Sequence, residues 1–394
     1  MEKIMKIALA HDYLNQWGGA EKVLETLAEI FPEAPIYTLM YDKEKTYARF
    51  EGSMPELRTS RVLKTSNARK VKTSFLDFKY ARENHRRFIP LMPLAAKFLK
   101  IPRDYDLIIS SSAGFAKGFN IGKNTMHISY CHTPLRYAWE SDSYLRPITN
   151  NLQLKLYKPL LNYLKNWDYE AGQSPDVLMA NSEFIARKIK KCYGRDSTVV
   201  YPPVDLSMFF PNPIPHTPYP KPYFLAIGRF LHYKKFDLVI DAFNELGLPL
   251  KIVGSGPEEQ KLKSLVKSDK IEFLPFQNDT SLVRELYWGA RAIIFPQVED
   301  FGLVAAEGVA SGTPVIALNA GGAREIVNAY SGILFPKQER ADLIRAVNNF
   351  ISREGDYIPE IVSAQANKFS KENFVEKIKE AASMVTASGK TRSP

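Results

Sequence analysis

Short apolar runs alternate with longer amphipathic stretches along almost the whole chain. An apolar run of four to seven residues between glycine, proline or polar residues is typical of a buried strand, whereas apolar residues three or four positions apart indicate a helix. Strands that alternate with helices favour a parallel sheet, so the pattern predicts an α/β fold. In the first half, strands are predicted over residues 4–10, 36–39, 106–111, 126–130 and 177–180.

The second half repeats this pattern after a proline-rich segment. Eight prolines fall between Tyr201 and Pro222, a density that neither a helix nor a central strand tolerates. A chain of 394 residues is too long for one ordinary core and fits two domains. We therefore expect two doubly wound domains, over residues 1–201 and 223–365, with a linker over 202–222 and a closing helical segment over 366–387. The strands of the second domain are predicted over residues 224–227, 250–253, 271–274, 292–295, 315–318 and 332–335.

Two glutamates with seven residues between them mark the most informative turn. Pro296 ends the apolar run 292–295, and helical spacing begins at Leu303. Glu299 is thus predicted on the loop after a strand, and Glu307 about one turn inside the next helix, whose free amide groups attract anions. A sugar could contact the first carboxylate and a nucleotide the second. The alternative is two ordinary charges on a solvated helix face.

A second strand-to-helix turn carries positive charge. The strand predicted to begin near Tyr223 ends in Gly228 and Arg229, and Lys234 and Lys235 stand just before the next helix. Arginine and lysine at such a turn can neutralise a diphosphate without a metal ion. Two surface cations with no ligand would give the same sequence.

Together these motifs resemble a known family, the family 4 retaining nucleotide-sugar glycosyltransferases. The resemblance covers nearly the whole chain, and each string falls where a strand gives way to a helix. Any one string is weak, since a Gly-Gly pair, for example, is more often a plain turn. The resemblance implies the GT-B fold, in which two Rossmann-like domains face each other and the last segment packs back toward the first domain. It is carried by Gly18-Gly19-Ala20-Glu21, Gly228-Arg229 with Lys234, Val253-Gly254-Ser255-Gly256-Pro257, the glutamate pair, Gly312-Thr313-Pro314-Val315-Ile316-Ala317 and Gly321-Gly322.

The resemblance also implies roles in transfer from a nucleotide diphosphate sugar. Arg229 and Lys234 would stabilise the charge that builds on the leaving diphosphate. Glu299 would accept hydrogen bonds from the sugar, and Glu307 from the ribose. The reaction would retain the anomeric configuration, through front-face attack assisted by the leaving phosphate. Further contacts with the nucleotide sugar, many of them through backbone groups, are expected at Gly18, Gly19, Gly254, Phe276, Phe301, Gly302, Leu303 and Val304.

His132 follows a predicted strand. A lone histidine is by default structural, but this position matches the family's cleft histidine, which contacts the donor sugar near the reacting carbon. Many relatives carry aspartate next, whereas Thr133 here leaves the acceptor's general base unassigned. Lys235 stands where relatives commonly carry glycine, so either lysine could bind phosphate, although spacing favours Lys234.

No metal site or cofactor is expected, because the cationic side chains would do a metal's work. The triplet Asp104-Tyr105-Asp106 imitates the metal-binding triplet of the other large transferase fold. It opens a strand at its amino end, however, opposite to the end where a parallel sheet binds ligands. We therefore expect a metal-independent reaction.

The positive charge of the chain is concentrated. The formal net charge of +10 lies wholly within residues 1–200, and the segment from Arg58 to Arg103 holds 13 basic residues against two acidic ones. Interleaved aromatic and aliphatic residues suit this segment to an anionic membrane surface or a diphosphate-bearing lipid. A charged face that only solubilises would look similar. Nucleic acid would also be attracted electrostatically, but we do not expect it as a partner.

Composition favours a cytoplasmic protein, peripheral at the inner face of the plasma membrane. No apolar run reaches the length that spans a bilayer, and a strand is predicted where a signal peptide would lie. Two cysteines, Cys131 and Cys192, form no disulfide framework and favour a reducing compartment. The membrane assignment rests partly on the resemblance, since such enzymes often use lipid-linked acceptors on the cytoplasmic leaflet.

Two further strings look like those of mannosyltransferases of bacterial surface-polysaccharide assembly, which build O-antigen and lipopolysaccharide. They suggest GDP-mannose as donor and a polyprenyl-diphosphate-linked saccharide as acceptor. The alternative is a non-catalytic protein of the same fold that binds membranes or anionic polymers, although such a protein has no evident need for all four charged site residues. The oligomeric state is not predicted. The strings are His11-Asp12-Tyr13-Leu14 and Tyr130-Cys131-His132-Thr133-Pro134-Leu135-Arg136-Tyr137.

Overall fold

The computed structural model describes residues 5–50, 70–140, 151–213 and 223–387. They form two compact units, of which the first comprises Met1–Val200 and Phe374–Pro394 and the second Tyr201–Asn373. Each unit contains one parallel sheet with helices on its faces. The predicted fold class, two doubly wound Rossmann-like domains, is confirmed.

The first unit is built on seven strands. Their bounds are Ile7–His11 (β1), Ile36–Thr38 (β2), Val71–Thr73 (β3), Leu107–Ser112 (β4), Met126–Cys131 (β5), Val177–Ala180 (β6) and Thr198–Val199 (β7). The strand order is β3-β2-β1-β4-β5-β6-β7. The five central strands are those predicted. The edge strands β3 and β7 were not predicted, because two or three partly exposed residues make no apolar run.

Helices cover both faces of this sheet. The helix Glu183–Tyr193 begins where the Ser182 side chain accepts a hydrogen bond from the Ile185 amide at 3.1 Å, an N-cap of the kind that serine favours. The helices are Gly19–Ile30 (α1), Lys79–Glu83 (α2), Met92–Phe98 (α3), Arg136–Trp139 (α4), Asn151–Gln173 (α5) and Glu183–Tyr193 (α6), with 3₁₀ turns at His85–Leu91 and Ala116–Gly118.

The second unit is built on six strands, all of which were predicted. They are Tyr223–Arg229 (β8), Leu250–Ser255 (β9), Ile271–Leu274 (β10), Ala290–Phe295 (β11), Val315–Leu318 (β12) and Gly332–Phe335 (β13). The strand order is β10-β9-β8-β11-β12-β13. The helices are Phe236–Leu246 (α7), Glu259–Ser264 (α8), Thr280–Trp288 (α9), Leu303–Ala310 (α10), Ala323–Ile326 (α11), Arg340–Ser352 (α12) and Pro359–Ala364 (α13), with 3₁₀ turns at His232–Lys234, Glu354–Asp356 and Asn367–Phe369.

The chain segments on either side of the second unit pack in different places. Residues 201–213 lie on the second unit: Phe209 is buried in its core, and the Trp288 indole donates to the Phe210 carbonyl at 2.6 Å. Residues 214–222 of the predicted linker lie outside the described residues. The closing helix Lys371–Ala387 (α14) buries Phe374 in a core of the first unit, where its ring lies 5.6 Å from that of Tyr130.

Each sheet has one point where the strand order reverses. In the first unit this point lies between β1 and β4, and in the second between β8 and β11. Loops that leave the carboxyl ends of such strands diverge and form a crevice, which is where open α/β sheets bind ligands. Within the described ranges, no helix combines the length and the hydropathy that crossing a membrane requires.

Candidate functional site

The carboxyl end of β8 is shaped by glycine. Gly228 pairs with Gly254 of β9, and a Cβ atom on Gly254 would lie 1.9 Å from the Gly228 carbonyl oxygen. A residue with a side chain would therefore force the two strand ends apart. Arg229 is the last residue of β8, and it is exposed. The close approach of β8 and β9 thus leaves the Arg229 guanidinium at the carboxyl end of the sheet, next to backbone that no side chain covers.

At the same carboxyl end of the sheet, two residues from separate motifs meet: Lys234 and Glu299. Their side chains form an ion pair, and the Gln297 amide donates to the same Glu299 oxygen at 3.0 Å. The lysine side chain is 17% exposed and the glutamate side chain 20% exposed. Both side chains can therefore be reached from solvent, and each holds the other in place.

Lys235 has a left-handed backbone, with φ of 57° and ψ of 34°. For a residue with a side chain this conformation costs roughly 1–2 kcal/mol, a cost that glycine avoids. The geometry therefore favours glycine at this position. It also means that the chain accepts strain at the turn between Lys234 and α7.

Two glycines hold the loop that carries Glu299. The Gly322 amide donates to the Glu299 carbonyl at 2.9 Å. A Cβ on Gly321 would lie 2.4 Å from that carbonyl oxygen, and one on Gly322 would lie 2.3 Å from the Phe301 carbonyl oxygen. Contacts this short are not possible for real Cβ atoms, so the loop after β12 can support the Glu299 loop only with glycine at both positions.

Helix α10 begins beside this loop at Gly302, whose φ of 107° favours glycine. No side chain caps this end of the helix, and Leu303 and Val304 form its first turn. The first amide groups of a helix have no partner within it, and together with the helix dipole they attract anions. The helix begins at Leu303, where the apolar spacing predicted it.

Glu307 lies deeper than the other charged site residues. It is only 6% exposed, and one of its oxygens accepts a hydrogen bond from the Tyr287 hydroxyl at 3.3 Å. Burial, and then the neighbouring Glu307 charge, raise the pKa of Tyr287 well above its usual value. Tyr287 therefore stays protonated and orients the carboxylate.

The two predicted phenylalanines have different environments. Phe276 follows β10 and is 48% exposed, so its ring offers a surface for a flat ligand. Phe301 is 3% exposed and packs against the rings of Tyr201 and Phe369 at 5.8 and 5.2 Å. Its ring belongs to the core, and only its backbone faces the Gly322 turn.

Polar side chains of three adjacent strands meet at the reversal point of the first sheet. The Ser111 hydroxyl lies 2.8 Å from Nε2 of His132 and 3.2 Å from Nδ1 of His11. Nε2 of His11 lies 3.9 Å from a carboxylate oxygen of Glu21. All four residues are buried. The predicted site histidine is thus one end of a connected row of polar groups.

The first glycine pair leaves room for this row. Gly18 precedes α1, and a Cβ on Gly18 would lie 3.1 Å from a Glu21 oxygen. Gly19 is the first residue of the helix. Small residues at this turn therefore let Glu21 fold back under the ends of the strands.

Asp12 is a buried carboxylate that the sequence alone did not single out. Its two oxygens accept hydrogen bonds from the backbone amides of Ala113, Phe115 and Ala116 at 2.6 to 2.8 Å. These hydrogen bonds fix the loop that follows β4, next to Ser111. Three such bonds satisfy the charge of a buried carboxylate, so we assign Asp12 a structural role.

Ser111, His11 and Glu21 were also missed as site residues. The parallel register pairs His11 with Ser111, but the two are 100 residues apart in the chain. The available signal was a polar residue at or just after the end of three predicted strands: His11 after 4–10, Ser111 at the end of 106–111 and His132 shortly after 126–130. Only the strand order turns that signal into a cluster.

Comparison with known proteins agrees with this architecture. Residues 17–208 match the family model described as Glycosyltransferase Family 4, and residues 212–373 match the model described as Glycosyl transferases group 1. The two matches correspond to the two halves of the chain. Each half is thus similar to a glycosyltransferase domain.

Individual relatives are distant. The D-inositol 3-phosphate glycosyltransferase of Mycolicibacterium smegmatis is 27% identical over 56% of this chain and 55% of its own length. The O-antigen chain mannosyltransferase C of Escherichia coli is 28% identical over 34% of this chain and 38% of its own length. The chain spans about half or less of the curated relatives it matches. The crystal structure of Anabaena HepE in complex with UDP and glucose superposes with a TM-score of 0.67 and 19% identity, covering 96% of this chain and all of that one.

Proposed function

We propose that the chain is a retaining, metal-independent glycosyltransferase, because its two halves match a family 4 model and a group 1 glycosyltransferase model. It would move a hexose from a nucleotide sugar to a lipid-linked saccharide. The observation that carries this proposal is the meeting of Lys234 and Glu299 at the strand ends that also present Arg229. A cation for phosphate and a carboxylate for sugar hydroxyls are the two groups that a nucleotide-sugar donor needs.

The diphosphate would be bound by charge and by backbone amides. Its negative charge would draw Lys234 away from Glu299, and Arg229 would supply planar hydrogen bonds to phosphate oxygens. The amides that open α10 at Gly302, Leu303 and Val304 would add the helix dipole. As the sugar bond breaks, charge builds on the leaving phosphate, and these fixed groups stabilise it without a divalent ion.

The sugar and the nucleoside would contact the remaining residues. Glu299, released from Lys234, would accept hydrogen bonds from sugar hydroxyls, and Glu307, oriented by Tyr287, from the ribose. The exposed ring of Phe276 and the backbone at Gly254 would lie along the base. We assign to His132 a contact with the donor sugar. Gly18 and Gly19 would let backbone approach the ligand closely.

For the donor we propose mannose from GDP-mannose, and for the acceptor a polyprenyl-diphosphate-linked saccharide of surface-polysaccharide synthesis. The resemblance of the strings around His11 and His132 supports this choice, and so does the mannosyltransferase named among the relatives. The HepE structure, which contains UDP and glucose, makes UDP-sugars the first competitors in any test.

The membrane would be met by the region around α2 and α3. Six large apolar side chains there are 42–62% exposed: Phe75, Phe78, Tyr80, Leu91, Leu94 and Phe98. Exposed cations stand among them, including Arg86 and Arg87. Apolar rings that insert and cations that attract anionic lipids are how peripheral proteins bind a bilayer surface. Residues 58–69 of the predicted basic segment lie outside the described residues. We propose a cytoplasmic protein bound peripherally to the inner face of the plasma membrane.

The test is a panel of nucleotide sugars incubated with the protein, a chelator and lipid-linked acceptors. Release of nucleoside diphosphate from one donor, with GDP-mannose expected to be fastest, supports the proposal, and the anomeric configuration of the product tests retention. If no donor turns over with any acceptor while the protein still binds anionic liposomes, the non-catalytic alternative replaces it.

A further inference from the structure

The structure points to a positioning role for Ser111, His11 and Glu21, and we propose that they fix the proton of His132 on Nε2. A row of four side chains crosses the carboxyl ends of β1, β4 and β5. It consists of Glu21, His11, Ser111 and His132. Ser111 is fully buried and lies within hydrogen-bond distance of both imidazole rings. This inference rests on the proposed function, because it gives the row a purpose only if His132 meets the sugar.

The Ser111 hydroxyl has one proton and can donate one hydrogen bond. When a serine joins two neutral imidazoles, it donates to one ring nitrogen and accepts from an N–H of the other. Donation to Nδ1 of His11 means that His132 donates its Nε2–H to Ser111. Donation to Nε2 of His132 means that His11 donates from Nδ1. The tautomers of His11 and His132 are thus coupled through one hydroxyl.

The carboxylate at the other end selects between the two arrangements. In the first, His11 carries its proton on Nε2, the nitrogen 3.9 Å from Glu21, and an N–H dipole faces negative charge. In the second, the lone pair of that nitrogen faces the carboxylate, which is repulsive. At 3.9 Å this is an electrostatic contact and not a hydrogen bond, but burial lowers the local dielectric and strengthens it. Gln16 donates to the same Glu21 oxygen at 3.4 Å and holds the carboxylate in place.

The selected arrangement leaves the lone pair of His132 on Nδ1. In that form Nδ1 accepts a hydrogen bond from a hydroxyl and cannot donate one. If His132 exchanged between its two tautomers, Nδ1 would carry the proton for part of the time. The step that needs the Nδ1 lone pair would then be slower. Ser111, His11 and Glu21 would then affect turnover without touching the ligand.

The experiment is ring-¹⁵N nuclear magnetic resonance of histidine-labelled protein without ligand. The chain has six histidines, and the variant His132→Gln identifies the signal of interest. We expect the two-bond correlation pattern of an Nε2–H ring for both His132 and His11 in the wild type. In Ser111→Ala, and in Glu21→Met, which removes the carboxylate at similar volume, the His132 signal should shift to a mixture of tautomers.

Activity gives the second readout. We expect kcat to fall about tenfold in Ser111→Ala and Glu21→Met, with KM for the donor within about twofold, and Ser111→Thr to restore kcat because it retains the hydroxyl. The matched control is Ser110→Ala. Ser110 makes a serine–histidine hydrogen bond of 2.8 Å to His127; it directly precedes Ser111 in β4 and therefore lies on the opposite face of the sheet.

The outcomes separate the two proposals. An Nδ1–H or doubly protonated His132 in the wild type overturns the inference, whatever the activity. So does an equal fall in kcat in Ser110→Ala and Ser111→Ala, since that would be a general packing effect. Absence of turnover with every donor defeats the proposed function, but the resonance pattern still decides whether this row fixes the tautomer.

Discussion

The two sheets present different chemistry at equivalent places. At the reversal point of the first sheet the groups are buried, mostly uncharged and joined in a row that ends at His132. At the reversal point of the second, charged side chains lie partly exposed around an ion pair, and glycines bring bare backbone to the surface. The first arrangement suits the orientation of one group, and the second suits the binding of an anion.

Net charge and ligand chemistry are separate in this molecule. The whole +10 surplus falls in the first 200 residues, and the rest of the chain is balanced. The site that we propose for a diphosphate is nevertheless in the balanced half, because anion binding depends on where a few cations lie relative to a helix end. Described cations of the first unit, among them Arg86 and Arg87, stand instead among exposed aromatic residues, where they suit a surface.

The largest effect is expected at the ion pair between Lys234 and Glu299 in the second unit. We expect Lys234→Ala and Glu299→Ala each to lower turnover about a hundredfold or more, because each removes a group that stabilises charge or orients the sugar. The measurement is steady-state kinetics with the best donor. The control is Lys263→Ala, which removes an exposed lysine paired with Glu259 at 2.7 Å. Rates equal to that control would show that the site lies elsewhere.

The surface role of the first unit is tested by neutralising two of its exposed cations. Each basic residue near an anionic bilayer contributes about 1 kcal/mol, so Arg86→Gln combined with Arg87→Gln should weaken liposome binding about thirtyfold. Flotation with anionic vesicles measures this. The matched pair is Lys261→Gln with Lys263→Gln, on α8 of the second unit. If both double variants bind liposomes as the wild type does, the positive charge of the first unit only keeps the protein soluble.

Two left-handed glycines of the second unit allow backbone strain to be separated from displacement of the Glu299 loop. Gly321 and Gly247 have φ of 64° and 60°, but a Cβ on Gly247 meets nothing within 4 Å. Gly247→Ala should cost stability only, roughly 1–2 kcal/mol. Gly321→Ala should in addition displace the Glu299 loop and lower kcat about tenfold. Thermal unfolding and kinetics on both variants distinguish strain from displacement, and equal kcat in the two would count against the supporting role of Gly321.

The smallest effect concerns Lys235. Replacing a left-handed residue by glycine removes about 1 kcal/mol of strain, so Lys235→Gly should raise Tm by about 2–4 °C for a unit of this size. Lys235→Ala keeps the strained backbone and should leave Tm near that of the wild type. Calorimetric Tm values decide, and a lower Tm for the glycine variant would mean that the lysine side chain contributes more than its backbone costs.

The sequence predicted much of the second unit because its signals are local. Pro296 ends a buried strand and the apolar spacing starts at Leu303, so β11, the loop and α10 were expected where they lie. The contact between Lys234 and Glu299 joins residues 65 positions apart, and the row through Ser111 joins residues 100 apart. Such contacts depend on which strands are neighbours, which local periodicity does not reveal. Helix α5 and the short edge strands were missed for lack of a strong apolar pattern.

We propose that fixed cations and backbone amides of the second unit bind a diphosphate. This proposal is tested most directly by calorimetric titration of GDP and of UDP, in the presence of a chelator, into the wild type and into Arg229→Ala. We expect at least one nucleotide to bind the wild type without a divalent ion and to bind the variant at least about tenfold more weakly. Equal affinity in the two proteins, or binding only when a divalent ion is added, would contradict the account.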